Sequence, residues 1–181
     1  SEKKLFNKKV IVTAGPSIEK IDSVRFISNF SSGMQGYEIA KTIANFGAKT
    51  TLISGPTALE PPTNVNFISV ESGDDFLKKS IENLPADIFI SVAAISDWKA
   101  NKIHLNKIKK EGLKSRIFNF KPNVDVLKQI SSHKRRPLLV IGFSAETKNL
   151  LLNSKKKLTR KKCDWIIANK ISKNSGFKSE N

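Results

Sequence analysis

The residues whose types and spacing suggest chemistry are amides, hydroxyls, glycines and lysines. Asn29, Ser31, Ser32 and Gly33 follow a short apolar run, Ile11-Val-Thr-Ala14, and stand directly before a helical pattern. Such residues at a helix start place backbone N–H groups where a phosphate or oxyanion is held. The same residues also suit an ordinary Ser/Gly loop with Asn29 capping the helix, and the pattern leaves both readings open. The connection leaving Ala14 is about twenty residues long, against a usual two to six, and length of that kind normally carries function. Its spacing departs from Gly-x-Gly-x-x-Gly, and no Gly-Lys-Ser/Thr follows. Asp97 ends another apolar run beside Ala93 and Ala94; it suits a ribose or amine contact, and equally a helix cap or turn. Lys107, Lys109 and Lys110 can meet a triphosphate or form a solvated face. Lys157 and Lys161, four apart on one helical face, can clamp phosphates or keep a helix surface soluble.

Other chemistries lack their residues. The one cysteine, Cys163, excludes an internal disulfide framework and reads as a small core residue before a strand. His104 and His133 lie in charged surroundings far from any Cys cluster, so they read as exposed surface residues and no protein-held metal is expected. There is no Gly-x-Ser-x-Gly elbow. An enzyme built from this chain works through amides, lysines, carboxylates and backbone dipoles, which suits reactions that a nucleotide activates.

The elements that must position these groups alternate between strand and helix. Strands are expected at Val10–Thr13, Thr50–Ile53, Val65–Val70, Ile88–Val92, Leu138–Phe143 and Trp165–Ala168. Helices are expected at Met34–Phe46 (closed by Gly47), Asp74–Leu84 (capped by Ser72), about Val124–His133 and about Lys148–Lys162. Residues 99–120 carry Gly112 and short alternating pieces, and read as an extended excursion needing a second subunit to bury Ile117 and Phe118. The tail, Asn169–Asn181, is polar. The order predicts an α/β protein: a three-layer α/β/α Rossmann-like fold with a mostly parallel sheet and a projecting dimerisation arm.

Charge divides the chain. Residues 1–98 hold ten Lys/Arg against eleven Asp/Glu, and residues 99–181 hold twenty-two against five. A funnel for small polyanions is preferred over a nucleic-acid surface, because Phe118, Phe120 and Phe143 lie in apolar patterns and are not interleaved along one basic face. The apolar runs are too short to cross a bilayer and the amino terminus has no apolar signal core, so a cytoplasmic protein is expected.

The blocks Ile11-Val-Thr-Ala-Gly-Pro16, Ile21-Asp-Ser-Val-Arg-Phe-Ile-Ser-Asn-Phe-Ser-Ser-Gly33, Leu52-Ile-Ser-Gly-Pro56, Ala93-Ala-Ile-Ser-Asp-Trp98, Lys107-Ile-Lys-Lys110, Gly142-Phe-Ser-Ala-Glu-Thr147 and Asp164-Trp-Ile-Ile-Ala-Asn169 follow one family's order. Over about residue 8 to the last residue, the chain closely resembles the phosphopantothenate–cysteine ligase domain of the bacterial bifunctional coenzyme A biosynthesis flavoprotein. That resemblance implies ligation of 4′-phosphopantothenate to L-cysteine through an acyl-cytidylate made from CTP, with Mg²⁺ carried by the triphosphate. It implies Asn29 and Lys107 as catalytic residues and Ser31, Ser32 and Gly33 as the substrate-phosphate turn. The nucleotide site it implies comprises Ser91, Val92, Ala93, Asp97, Lys107, Asn123, Val124, Asp125, Val126, Phe143, Lys157 and Lys161, with no protein metal site. It further implies a homodimer in which the arm helps close the partner's site.

Departures from the family pattern occur at Met34-Gln35, where a lysine is lost, and at Val124, which replaces a proline. The expectation is one ligase domain over 1–181, C-terminally shortened, without flavin, and apart from the flavin-dependent decarboxylase to which the full-length protein would be fused. Competing expectations are a catalytically weak nucleotide-binding dimer and a nicotinamide-dependent reductase. No nucleic-acid or membrane partner is expected.

Overall fold

The first apolar run shows no alternation because both faces of its strand are covered. In β1 (Lys9–Ala14), Val10, Val12 and Ala14 pack with Tyr37 and Ala40 on one side of the sheet. Ile11 enters the other side with Phe76, Phe89 and Ile130. The computed structural model describes residues 4–110, 112, 115–146 and 149–170. After β1 come β2 (Ile18–Lys20), β3 (Phe26–Ser28), α1 (Met34–Asn45), β4 (Lys49–Ser54), β5 (Val65–Ser69), α2 (Gly73–Glu82) and β6 (Ile88–Ser91). Then follow β7 (Trp98–Ala100), β8 (Phe120–Pro122), α3 (Val126–Ser131), β9 (Leu139–Glu146), α4 (Leu150–Lys161) and β10 (Trp165–Lys170).

Six strands form one sheet in the order β10-β9-β6-β1-β4-β5, and all its pairs are parallel. The chain runs outward from β1 through β4 to β5, returns to β6 on the other flank, and runs outward again. This is the doubly wound order, with its switch point between β1 and β6. Helix α1 covers one face, and α2, α3 and Leu158 of α4 pack on the other. The result is the expected three-layer Rossmann-like fold. Burial pushes the Cys163 thiol pKa upward, as befits a small core residue. Among the described residues, no helix is long and apolar enough to cross a membrane.

Local chemistry sets the boundaries. Ser72 and Asp75 form a reciprocal capping box at the start of α2, and the Gly47 N–H donates to the carbonyl of Ala44 where α1 ends. Helix α3 is shorter than expected, starting at Val126 behind the cap Asp125. It starts there because Asp125 is non-helical (φ −101°, ψ 88°) and its side chain accepts the Lys128 N–H as a cap.

The long connection after Ala14, read as a loop, contains the β2–β3 hairpin. The Asp22 carboxylate accepts the N–H groups of Val24 and Arg25, an Asx turn that closes the hairpin. The excursion rises from an antiparallel foot, where Trp98 pairs with Pro122 and Ala100 with Phe120. Phe118 and Phe120 are exposed there. Both histidines are half-buried, not fully exposed, because the His133 ring accepts the Arg135 N–H and the His104 backbone bonds to Ile21. The tail from residue 171 and the expected helix start at 148 lie outside the described residues.

Close approach of α1 to β1 needs Gly36, since a Cβ there would sit 2.5 Å from the Ala14 Cβ and 3.2 Å from the Thr13 carbonyl. Gly36→Ala is therefore expected to destabilise the protein by about 1–3 kcal/mol despite alanine's better helix propensity. A urea midpoint equal to or above that of the parent protein would refute this.

Candidate functional site

A cleft of about 1010 Å³ opens where β1, β6 and β9 end, the place where doubly wound sheets bind ligands. Its floor is laid by two segments that stay paired after their strands finish. Val92 and Ala93 donate to the carbonyl and hydroxyl of Thr13, Ala94 donates to Gly15, and Ser17 returns a bond to Ala94. The volume reaches the top of the range for small-molecule sites, roughly 300–1000 Å³.

At the α1 end, Asn29, Ser31, Ser32 and Gly33 all line the cleft. Gly33 has a left-handed φ of 80° and occupies the cap position of α1. Asn29 does not cap the helix; its Nδ2 donates to the Ala94 carbonyl at 3.2 Å. The Ser31 and Ser32 hydroxyls accept the N–H groups of Gly33 and Met34, so the turn is wound tightly ahead of a helix whose positive dipole end faces the cleft.

At the far end, about two strand spacings away (~10 Å), α4 supplies two cations. Lys157 Nζ donates to the Phe143 carbonyl at 2.6 Å, and Lys161 is ion-paired with Asp125. Between the ends stand Ser91, Val92, Ala93, Asp97, Asn123, Val124, Asp125, Val126 and Phe143. Asp97 is exposed at the rim, and its carbonyl holds the Asn123 N–H; no helix follows, so it caps nothing. Asn169 of β10 donates to Gln35 of α1 at 3.2 Å across one wall. Among the described residues no group of three or more His, Cys, Asp or Glu is placed to hold a metal.

Lys107 is the expected site residue that does not line this chain's cleft. It is exposed on the excursion, which is pinned to the β2–β3 hairpin. Asp22 Oδ2 accepts the Ile108 N–H at 3.1 Å, Arg25 donates to the Ile108 carbonyl, and His104 donates to Ile21. Burial alone would raise the Asp22 pKa. The N–H bonds from Ile108, Val24 and Arg25 and the Arg25 charge outweigh burial and hold it well below the ordinary carboxylate value of 3.8.

Sequence reasoning missed Glu19, Asp22, Ser17 and Ser96. All four are buried polar residues, and an isolated acid or hydroxyl in a loop gives no signal of burial. It also missed Ser144 and Asn169, which join the cleft only because β9 and β10 end there.

Because Asp22 is depressed in the folded protein, its contribution to stability is fully present at neutral pH and fades as pH falls below 3.8. Asp22→Asn is expected to lower the urea midpoint at pH 7, and the gap should narrow on acidification. A gap that stays constant or widens toward pH 3 would refute the assignment.

Comparison with known proteins adds independent information. The profile of the DNA/pantothenate metabolism flavoprotein C-terminal domain matches residues 5–181. The coenzyme A biosynthesis bifunctional protein CoaBC of Haemophilus influenzae is 41% identical over 172 residues, covering 94% of this chain and 43% of that protein. The Bacillus subtilis CoaBC is 38% identical over 176 residues, covering 96% and 43%. The chain thus spans a little under half the length of these relatives. The crystal structure of the C-terminal domain of a CoaBC is similar, with TM-score 0.81 and 40% identity over 93% of this chain and 80% of that one. A Cab2 mutant in complex with phosphopantothenate-cysteine shares the fold, with TM-score 0.77 and 18% identity over 91% of this chain and 73% of that one.

Proposed function

Because the chain belongs to the DNA/pantothenate metabolism flavoprotein C-terminal domain family, we propose that it is the ligase that joins 4′-phosphopantothenate to L-cysteine with CTP. The observation that carries this reading is the two-ended cleft. An amide and a tight hydroxyl–glycine turn stand at the α1 end, two lysines stand at the α4 end, and a shared backbone floor runs between them.

The chemistry follows from the substrates. A carboxylate is a poor electrophile at neutral pH. Its oxygen attacks the α-phosphorus of CTP, the bond to pyrophosphate breaks, and an acyl-cytidylate forms. The cysteine amine then attacks the acyl carbon, the C–O bond to CMP breaks, and the amine gives up a proton as the amide forms. In this reading the Ser31–Gly33 turn and the α1 terminus take the phosphate of 4′-phosphopantothenate, and Asn29 steadies the acyl group. Asp97, the 91–93 backbone and the 123–126 segment take the nucleotide. Lys157 and Lys161 meet the triphosphate, and magnesium arrives with that substrate.

Lys107 would act from a second subunit. The excursion carries exposed Ile103, Leu105 and Ile117, the hairpin carries exposed Val24 and Phe26, and Phe30 is exposed just after it. Such a surface suits burial against another copy, with Lys107 reaching the partner's cleft. The CoaBC relatives are bifunctional, and the proposed fused partner is a flavin-dependent decarboxylase that consumes the thiol-bearing amide. A cytoplasmic location fits these substrates.

Pyrophosphate release from CTP in the presence of 4′-phosphopantothenate and Mg²⁺ tests the reading, with CMP and amide expected once cysteine is added. CTP binding without pyrophosphate release would leave a nucleotide-binding module and overturn the ligase. Asn29→Ala is expected to cut amide formation by roughly a hundredfold. Mixing unfolded and co-refolded Asn29→Ala and Lys107→Ala proteins should restore roughly a quarter of parent turnover, since half the dimers are mixed and each holds one intact site. No recovery would place Lys107 outside the partner's site.

A further inference from the structure

Glu19 is a buried carboxylate (4% exposed) in the connection after β1. Its Oε1 accepts two bonds of 2.7 Å, one from the Gly73 N–H at the start of α2 and one from Nδ2 of Asn123. The same Asn123 Nδ2 donates to the Ser96 carbonyl at 2.9 Å, and Asn123 Oδ1 accepts the Val124 N–H. Ser96 in turn gives its N–H to the buried Ser17 hydroxyl. Both polar atoms of the Asn123 amide are therefore engaged by the protein. The amide acts as a bracket that sets the backbone of 123–126, the stretch lining the cleft before α3.

Gly73 belongs to the same bracket. A Cβ there would lie 2.8 Å from Asn123 Nδ2 and 3.1 Å from its Oδ1, so the amide lies flat against the start of α2 because that residue has no side chain. The carboxylate also sits at the start of α2, where it accepts an N–H that has no partner within the helix. Three segments are joined here: the connection carrying Asn29, the helix start at Gly73 and the segment before α3.

We infer that Glu19 is a positioning residue for the nucleotide, acting through Asn123 to hold the 123–126 wall of the cleft. The inference rests on the reading of this end of the cleft as the nucleotide site. The substrate-phosphate turn is anchored separately, through Ala94 and the serine hydroxyls, so the two substrates respond differently when Glu19 is changed.

Calorimetric titration of CTP and of 4′-phosphopantothenate into the parent protein, Glu19→Ala, Glu19→Gln and Gly73→Ala distinguishes the outcomes. Glu19→Ala and Gly73→Ala, one emptying the bracket and one crowding it, are expected to weaken CTP binding by about tenfold or more while 4′-phosphopantothenate affinity changes by less than about twofold. Glu19→Gln keeps the accepting oxygen and is expected within about threefold of the parent for both ligands. Equal losses for both ligands, unchanged CTP affinity in Glu19→Ala, or a Gln variant as impaired as Ala would each overturn the positioning role. If the parent binds CTP but releases no pyrophosphate, the ligase reading falls while the affinity comparison still decides Glu19. A parent protein that binds no CTP overturns both.

Discussion

Past the last paired residues of β1 and β6, the two chains would ordinarily part, since at a switch point their connections leave for opposite faces of the sheet. Here they remain laced together from Thr13 to Ser17 and from Val92 to Ser96, with Pro16 bridged to Ala94 in the parallel sense. This extension of the sheet by a few residues is the constraint on which the cleft depends. It converts a crevice between diverging loops into a floor of fixed backbone. Asn29 hangs from that floor through the Ala94 carbonyl, and Asn123 through the Ser96 carbonyl. Small residues at 93, 94 and 96 keep the floor low enough for a ligand to lie on it.

Cations are placed differently at the two ends. At the α1 end the positive potential comes from backbone dipoles, which cost no side-chain entropy when an anion binds. At the α4 end it comes from lysines, long side chains that would otherwise lose rotamer freedom on binding. Here Lys157 is already drawn to the Phe143 carbonyl and Lys161 to Asp125. Their ordering is partly achieved before a ligand arrives, and their mutual repulsion is relieved by those acceptors. The surplus of positive charge in the second half of the chain is then a field around a prepared pair, screened beyond about 10 Å at ordinary salt.

The frame was legible because its signals are local. Apolar runs such as Val10–Thr13 and Ile88–Val92 are continuous where both faces are covered, and the helices at Met34 and Ser72 carry their own spacing and caps. The long connection and the small residues after β6 pointed to the cleft for the same reason. What stayed illegible is non-local. The β2–β3 hairpin depends on a carboxylate closing its own turn, and strands of three residues leave no period to read. The path of the chain before α3 is held by bonds from Asn123 to residues 19 and 96. Lys107 was legible as a charge, but its distance from this chain's cleft follows from where the excursion is pinned, which no local pattern encodes.

The connection after β1 poses a physical problem that its buried acids solve. A segment of about twenty residues rich in small polar side chains buries too little apolar surface to hold itself in place, and its backbone groups still need partners. A carboxylate has about four acceptor positions and can gather donors from distant parts of the chain. Asp22 collects the N–H groups of Val24, Arg25 and Ile108 together with the Arg25 guanidinium. Glu19, three residues earlier, collects Gly73 and Asn123. One acid thus ties the connection to the excursion and the other ties it to the wall before α3. Burying an unpaired carboxylate would be strongly unfavourable, so each position tolerates the charge only when its donors are in place. The charge that makes the segment costly to bury also gives its conformation specificity, and it explains how a loop without a core of its own keeps one path beside the cleft, while Asn29 and the Ser31–Gly33 turn are fixed by their own bonds to Ala94 and within the turn.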